Sequence, residues 1–209
     1  MTDIPEPGDR PLPRQRSVEE FDALYAATPP WDIGRPQPAF VELAEAGALR
    51  GRVLDVGCGT GEHALMAARL GLEATGVDTA PAAIALAEQK AHDRSLVARF
   101  LVADALQLGS LGEQFDTVLD SGVFHVFADD DRARYVDSLA AATAPAGRYY
   151  MLCFSDHQPG DWGPRRVAEH EIRASFTAGW QIESIEPARF SINISPEGAL
   201  AWRAAITRS

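Results

Sequence analysis

The sequence predicts an α/β domain built on a mostly parallel sheet, with helices on both faces. Three observations carry that expectation. Short apolar strand patterns alternate with helical patterns through most of the chain, the arrangement that crossover-connected parallel strands produce. The first of these strands, Val53-Leu54-Asp55-Val56, runs straight into a glycine-rich turn and then a helix. The 209 residues, 46% apolar and 23% charged, suit one packed core with a short extension rather than two full domains.

Residues 1–16 hold four prolines and several charges and read as a flexible arm. Ser17 is placed as an N-cap, with Glu20 completing a capping box. The helix that follows carries Phe21, Leu24 and Tyr25 at helical spacing and stops at Thr28-Pro29-Pro30. Residues 31–38 contain too much proline and glycine for a regular element, and a second helix runs from Ala39 to Ala46 with Gly47 behind it. Residues 1–38 therefore form an arm and lid segment, and residues 39–209 the main domain.

Within that domain, a helix through Ala64, Leu65, Ala68 and Leu70 follows the glycine turn. The second strand spans Leu72 to Val77 and ends at Asp78; Pro81 opens a helix to Ala91. The third strand, Val97 to Val102, ends near Asp104, and the fourth spans Phe115 to Leu119. A helix covers Asp130 to Ala142. The run Asp129-Asp130-Asp131 before it invites a cation-site reading, but carboxylates at a helix N-terminus are explained by the backbone dipole. A fifth strand covers Gly147 to Phe154, a helix Glu169 to Phe176, and two last strands Trp180 to Ile185 and Leu200 to Ile206.

The formal net charge of -11, with no basic cluster beyond Arg165-Arg166, argues against nucleic acid and anionic membranes as the main partner. Two cysteines without a CxxC make no disulfide framework. The N-terminal stretch has no apolar run of a signal peptide, and no segment approaches a membrane span. The expectation is a cytoplasmic protein, monomeric or weakly dimeric. No His/Cys cluster has metal-ligand spacing.

In open parallel sheets, ligands bind beyond the carboxyl ends of the strands. Asp55 lies in the first strand, before the loop Gly57-Cys58-Gly59-Thr60-Gly61; Asp78 closes the second, followed by Thr79; Asp104-Ala105 follow the third. A dinucleotide loop would read GxGxxG, with a pyrophosphate against the helix N-terminus. Here the spacing is GxGxG, with an acid just upstream that suits an ammonium group better than a phosphate. Asp78 is placed for ribose hydroxyls and Asp104-Ala105 for an adenine. Together they suit S-adenosyl-L-methionine. Two rivals stand beside that reading: an NAD-dependent oxidoreductase, and a non-catalytic module that only binds the cofactor or a metabolite.

The block Val53 to Gly61 resembles the first motif of class I S-adenosylmethionine-dependent methyltransferases, and the likeness covers most of residues 50–155. It implies a Rossmann-like, doubly wound, seven-stranded sheet of order 3-2-1-4-5-7-6 with strand 7 antiparallel. It also implies that the glycine loop meets the methionine part. The segment Pro30-Trp31-Asp32-Ile33-Gly34-Arg35-Pro36-Gln37-Pro38 is similar to the PWD-x-G-x-x-x-P segment of halide/thiol and thiopurine methyltransferases, and most of all to small mycobacterial-type enzymes that methylate heterocyclic and quinol-like molecules. The resemblance puts Trp31 over the cofactor, where an indole face attracts a sulfonium; packing the arm onto the domain is the other role open to it. The plant halide enzymes carry further tryptophans upstream where Phe21 and Tyr25 stand here, which counts against halide specificity and leaves a small aromatic or thiol acceptor.

The loop after the fourth strand, Asp120-Ser121-Gly122-Val123-Phe124-His125, reaches the same crevice. Asp120 is expected against the cofactor, with a satisfied strand-end carboxylate as its other reading. His125 is the candidate general base, with a hydrogen-bonded core histidine as the alternative. Phe124, Phe154 and Trp162, with His157 and Arg165 near them, are candidate acceptor contacts. Cys58, between two loop glycines, is expected to be small and partly buried rather than a nucleophile.

Overall fold

The computed structural model describes residues 17–209; the arm expected over residues 1–16 lies outside them. Seven strands form one sheet in the order β3-β2-β1-β4-β5-β7-β6. They are β1 (Arg52–Val56), β2 (Glu73–Asp78), β3 (Arg99–Val102), β4 (Phe115–Ser121), β5 (Thr143–Phe154), β6 (Trp180–Ile192) and β7 (Ser195–Arg208). The first five pair in parallel, and β7 is antiparallel to both β5 and β6.

Period-2 alternation sorts side chains into two cores, one on each face. Leu54, Val118, Tyr149, Met151 and Cys153 point into one, and Val53, Leu119, Tyr150, Leu152 and Phe154 into the other. Helix α5 (Asp129–Ala142) covers the first with Tyr135, Val136 and Leu139, joined by Ile172 of α6 (Glu169–Ser175). The second is covered by α2 (Pro38–Glu45), α3 (Glu62–Arg69) and α4 (Pro81–Asp93), through Phe40, Leu65, Ile84 and Ala87. Because β1 is buried on both faces and paired on both edges, the loop after Val56 sits at the centre of the sheet's carboxyl edge.

The last two strands are longer than the sequence reading. They make one hairpin joined through Asn193 and Ile194, with Ile192 paired to Ser195. Pro187 and Pro196 disguised it, but Pro187 lies in β6, an edge strand, and Pro196 lies in the part of β7 beyond its pairing with β5. The hairpin tip extends past the end of β5 and grips the N-terminal segment. The Asn193 N–H donates to the Pro30 carbonyl at 2.9 Å, and its side-chain amide to the Pro29 carbonyl at 3.0 Å. The Gln37 side chain clasps Ser191 twice, donating to its carbonyl at 3.0 Å and accepting its N–H at 2.8 Å.

Helix α1 (Val18–Leu24) starts with the expected Ser17–Glu20 capping box and buries none of its residues. Its attachment is polar. α4 begins after Ala80, which has no capping oxygen, and Asp22 of α1 accepts the Ala82 N–H at 2.7 Å instead. A carboxylate at that end also meets the favourable end of the helix dipole. Asp22→Ala is expected to cost about 1 kcal/mol, typical of a lost cap, and to lower the melting temperature by about 2–4 °C. Thermal unfolding with hydrogen exchange at the Ala82 amide checks it.

Candidate active site

The glycine loop is held from below by its neighbours. The Cys58 N–H donates to the Val77 carbonyl at 2.9 Å, and the Gly59 N–H to Asp78 Oδ2 at 2.9 Å. Gly57 has φ +60°, and a Cβ there would come within 2.3 Å of a Val123 methyl, so backbone must pass bare. Gly61 caps α3. Asp78 is half-buried beside the half-buried Thr79, and its Oδ1 takes the Ala80 N–H at 2.9 Å. Burial raises its carboxyl, against the pull of these N–H bonds. Each oxygen keeps accepting capacity for hydroxyl groups. Asp104, exposed at the end of β3, caps the short 3-10 helix Ala105–Leu111 by accepting the Leu106 N–H at 2.8 Å; Ala105 is buried.

A cleft opens between this loop and the N-terminal segment, with Tyr25, Trp31, Ile33 and Gln37 on one side, Gly57 to Thr60 on the other, and Ser121 and Phe190 at the end. Trp31 donates its indole N–H to the Tyr25 hydroxyl at 3.2 Å and packs edge-on to Phe21. Asp32 fastens the segment to the loop: its Oδ2 accepts the Thr60 hydroxyl at 3.0 Å, and Lys90 Nζ lies 2.7 Å from the same hydroxyl oxygen.

Four expectations need correction. Asp120 does not reach the cleft. It is fully buried, accepting N–H bonds from Val123 (2.7 Å) and Phe124 (3.1 Å) and hydroxyls from Tyr135 (2.9 Å) and Tyr149 (2.6 Å). It shapes the β4 loop rather than touching a ligand. Asp55 is fully buried as well, so it can act on a ligand only through its charge and not by contact; its Oδ2 accepts the Ala64 N–H at 3.1 Å, steadying the first turn of α3. Phe124 is fully buried, stacked on Phe176 and lying under the Arg132 guanidinium, so it offers no surface to an acceptor. Arg165 is consumed by ion pairs to Asp129 and Glu171.

His125 takes a different part from the base expected of it. Its Nδ1 accepts the Phe154 N–H at 2.9 Å, so the lone pair points into the fold and the ring proton sits on Nε2. Burial first, then Arg166 and Arg132, drive its pKa down to about 3. The imidazole stays neutral and presents an N–H. That edge lies over Gly122 beside Phe190, next to the cleft wall. Phe154 packs edge-on against His125 at 5.2 Å and against Trp162 at 5.7 Å; Trp162 is exposed. His157 packs on Trp202 instead. Cys58 is buried and its thiol is raised by burial, as its small-residue role requires. The sequence reading missed Phe190, Gln37 and Asn193; the alternation Phe190-x-Ile192 was the available sign of a strand there.

The methyltransferase domain family matches residues 53–147. The 2-heptyl-1-hydroxyquinolin-4(1H)-one methyltransferase of Mycobacteroides abscessus is 40% identical over 177 residues, 83% of this chain and 78% of that protein. The chain belongs to the S-adenosylmethionine-dependent methyltransferases. A solved structure concerned with converting a disulfide bond into a thioacetal group during echinomycin biosynthesis is 39% identical to this methyltransferase, covers 92% of this chain and 93% of that one, and superposes with a TM-score of 0.84. The probable thiol methyltransferase 2 of Arabidopsis thaliana is 26% identical over 70% of this methyltransferase and 66% of that protein.

The residues of this methyltransferase fit its methyl donor. A Cβ at Gly59 would come within 3.0 Å of the Tyr25 hydroxyl, inside the cleft, and Asp78 borders the same loop with accepting capacity to spare. Asp120 gives the methyltransferase a testable pH signature. Burial lifts its carboxyl to about 6 in the folded protein. The folded state then holds the extra proton between about pH 4 and pH 6, so this group's contribution to stability falls as pH rises through that window. The stability margin of wild type over Asp120→Asn is expected to narrow across it and stay constant above; denaturant titrations at each pH check this.

Proposed function

We propose that this protein transfers the methyl group of S-adenosyl-L-methionine to an O, S or N atom of a small aromatic or heterocyclic acceptor that arrives already ionised or otherwise nucleophilic. One observation carries the second half: the His125 edge offers an N–H beside the cleft wall, and among the described residues the candidate bases of the sequence reading around the cleft are already committed. The His125 lone pair is held by Phe154, the Asp120 carboxylate by four donors, and the Cys58 thiol stays protonated.

S-adenosyl-L-methionine, when bound, supplies a methyl group already activated by a positive sulfur. The glycine loop would hold its methionine part, Asp78 and Thr79 the ribose, and Asp104-Ala105 the adenine. Trp31, which lines the cleft, would attract its sulfonium through the indole face. An acceptor would gain that methyl group and the donor would leave as its neutral thioether. The protein's task is to align nucleophile, methyl and sulfur, and to keep water out. Residues 17–38 act as the lid, fastened by Asp32 to Thr60 and by Pro29–Pro30 to Asn193. Phe154, Phe190 and Trp162 give an acceptor ring its aromatic surroundings. His125 donates its Nε2 proton in a hydrogen bond that orients an anionic oxygen. The Mycobacteroides relative methylates a planar hydroxyquinolinone, which supports the heterocyclic class.

No helix among the described residues is long and apolar enough to cross a membrane. We read the protein as a cytoplasmic monomer or weak dimer; the net charge of -11 supports a small-molecule rather than a nucleic-acid partner.

The test is a panel of phenols, hydroxyquinolones and aromatic thiols of graded acidity, with products identified by mass spectrometry. The apparent pKa of kcat/KM should track the acceptor's own ionisation across the series. His125→Phe should lower kcat/KM for oxygen acceptors about 10–100-fold, the worth of a hydrogen bond to a charged group, without moving that pKa. A fixed pKa near neutrality for every acceptor, lost in His125→Phe, would show a protein base. Lid closure predicts slower hydrogen exchange over residues 17–38 when the donor binds; identical exchange with and without it would assign the segment to packing alone.

A further inference from the structure

His63, the second residue of α3, has both ring nitrogens committed in opposite directions. It is buried in the cleft wall, edge-on to Phe40 at 4.9 Å. Nε2 accepts the Gln37 N–H at 3.1 Å, which puts the ring proton on Nδ1. Nδ1 faces Asp55 Oδ1 at 3.6 Å. That oxygen is buried and has no hydrogen bond, whereas Oδ2 is held by Ala64. The distance is long for a hydrogen bond, so the carboxylate is steered rather than clamped. Gln37 ends the N-terminal segment, begins α2 and holds Ser191 of the hairpin with its side chain. One imidazole thus joins the buried anion behind the glycine loop to the hinge of the segment that covers it.

We propose that His63 is a positioning residue with two separable duties. Through Nδ1 it orients the Asp55 carboxylate, whose charge favours the ammonium end of the methyl donor. Through Nε2 it fixes Gln37, and with it the base of the N-terminal segment. The first duty rests on the proposed placement of the donor's methionine part at the glycine loop. It acts on ligands that carry the amino-acid group and not on those that end at the thioether, because the nucleoside end is held at β2 and β3.

Two conservative variants divide the duties. The amide nitrogen of asparagine stands near the position of histidine Nδ1, and the amide oxygen of glutamine near that of Nε2. Calorimetry with S-adenosylhomocysteine and with 5′-methylthioadenosine, which lacks the amino-acid group, reads the first duty. Hydrogen exchange at the Gln37 amide reads the second. His63→Gln is expected to weaken S-adenosylhomocysteine about tenfold, to leave methylthioadenosine within about twofold, and to keep Gln37 protected. His63→Asn is expected to hold the preference for S-adenosylhomocysteine and to speed exchange at Gln37. Parallel loss of both ligands in His63→Gln, or an unchanged preference in that variant, overturns the proposal; so does unchanged Gln37 exchange in His63→Asn. A wild type that binds the two ligands equally overturns the placement of the methionine part, and the proposal with it.

Discussion

A carboxylate taken out of water must be supplied with hydrogen-bond donors, and that demand organises the whole carboxyl edge of this sheet. Four neighbouring parallel strands carry an aspartate at or just past their ends. Each accepts backbone N–H groups from the loops and helix starts at this edge: Asp55 from Ala64, Asp78 from Ala80 and from Gly59 of the neighbouring glycine loop, Asp104 from Leu106, and Asp120 from Val123 and Phe124. The loops around the cleft take their shape from these bonds. Two of the four carboxylates are fully buried and hold the walls, while Asp78 and Asp104 stand nearer the solvent with capacity left for a ligand.

The distinction between a wall carboxylate and a ligand carboxylate is what the sequence did not disclose. All four aspartates follow apolar strand residues, so their local patterns are nearly alike. Asp120 differs because Tyr135 and Tyr149 arrive from α5 and β5 to saturate it, contacts made 15 and 29 residues away. His125 shows the same dependence: which nitrogen carries the proton is set by the Phe154 N–H, 29 residues on. The glycine loop, the Ser17 cap and the helix-start role of Asp129 to Asp131 were legible because each rests on local periodicity or on a short motif, whereas the strand order came only with the family resemblance. The β6–β7 hairpin was shortened in the reading because Pro187, Pro196 and Gly198 interrupt its pattern; Pro187 is tolerated on the edge strand, and Pro196 and Gly198 lie where β7 has run past β5.

Electrostatics near the cleft are more balanced than the net charge suggests. Lys90 of α4 and Arg94 just past its end both reach Glu62, and Lys90 also reaches Thr60. A cation is thereby kept behind the loop without entering the cleft as a free charge. The aromatic group of His125, Phe154, Phe190 and Trp162 then provides a largely apolar end, where an N–H gains strength from the low local dielectric.

The grip of Asn193 on Pro29 spans 164 residues of chain, and that of Gln37 on Ser191 spans 154. On a ribosome adding about 5–20 residues per second, roughly ten to thirty seconds separate the two sides of that grip. The sheet core up to β5 exists in the growing chain before the hairpin does. Among the described elements the hairpin is made after the segment it clasps, so these two holds on Pro29 and Gln37 form only once the hairpin has folded back.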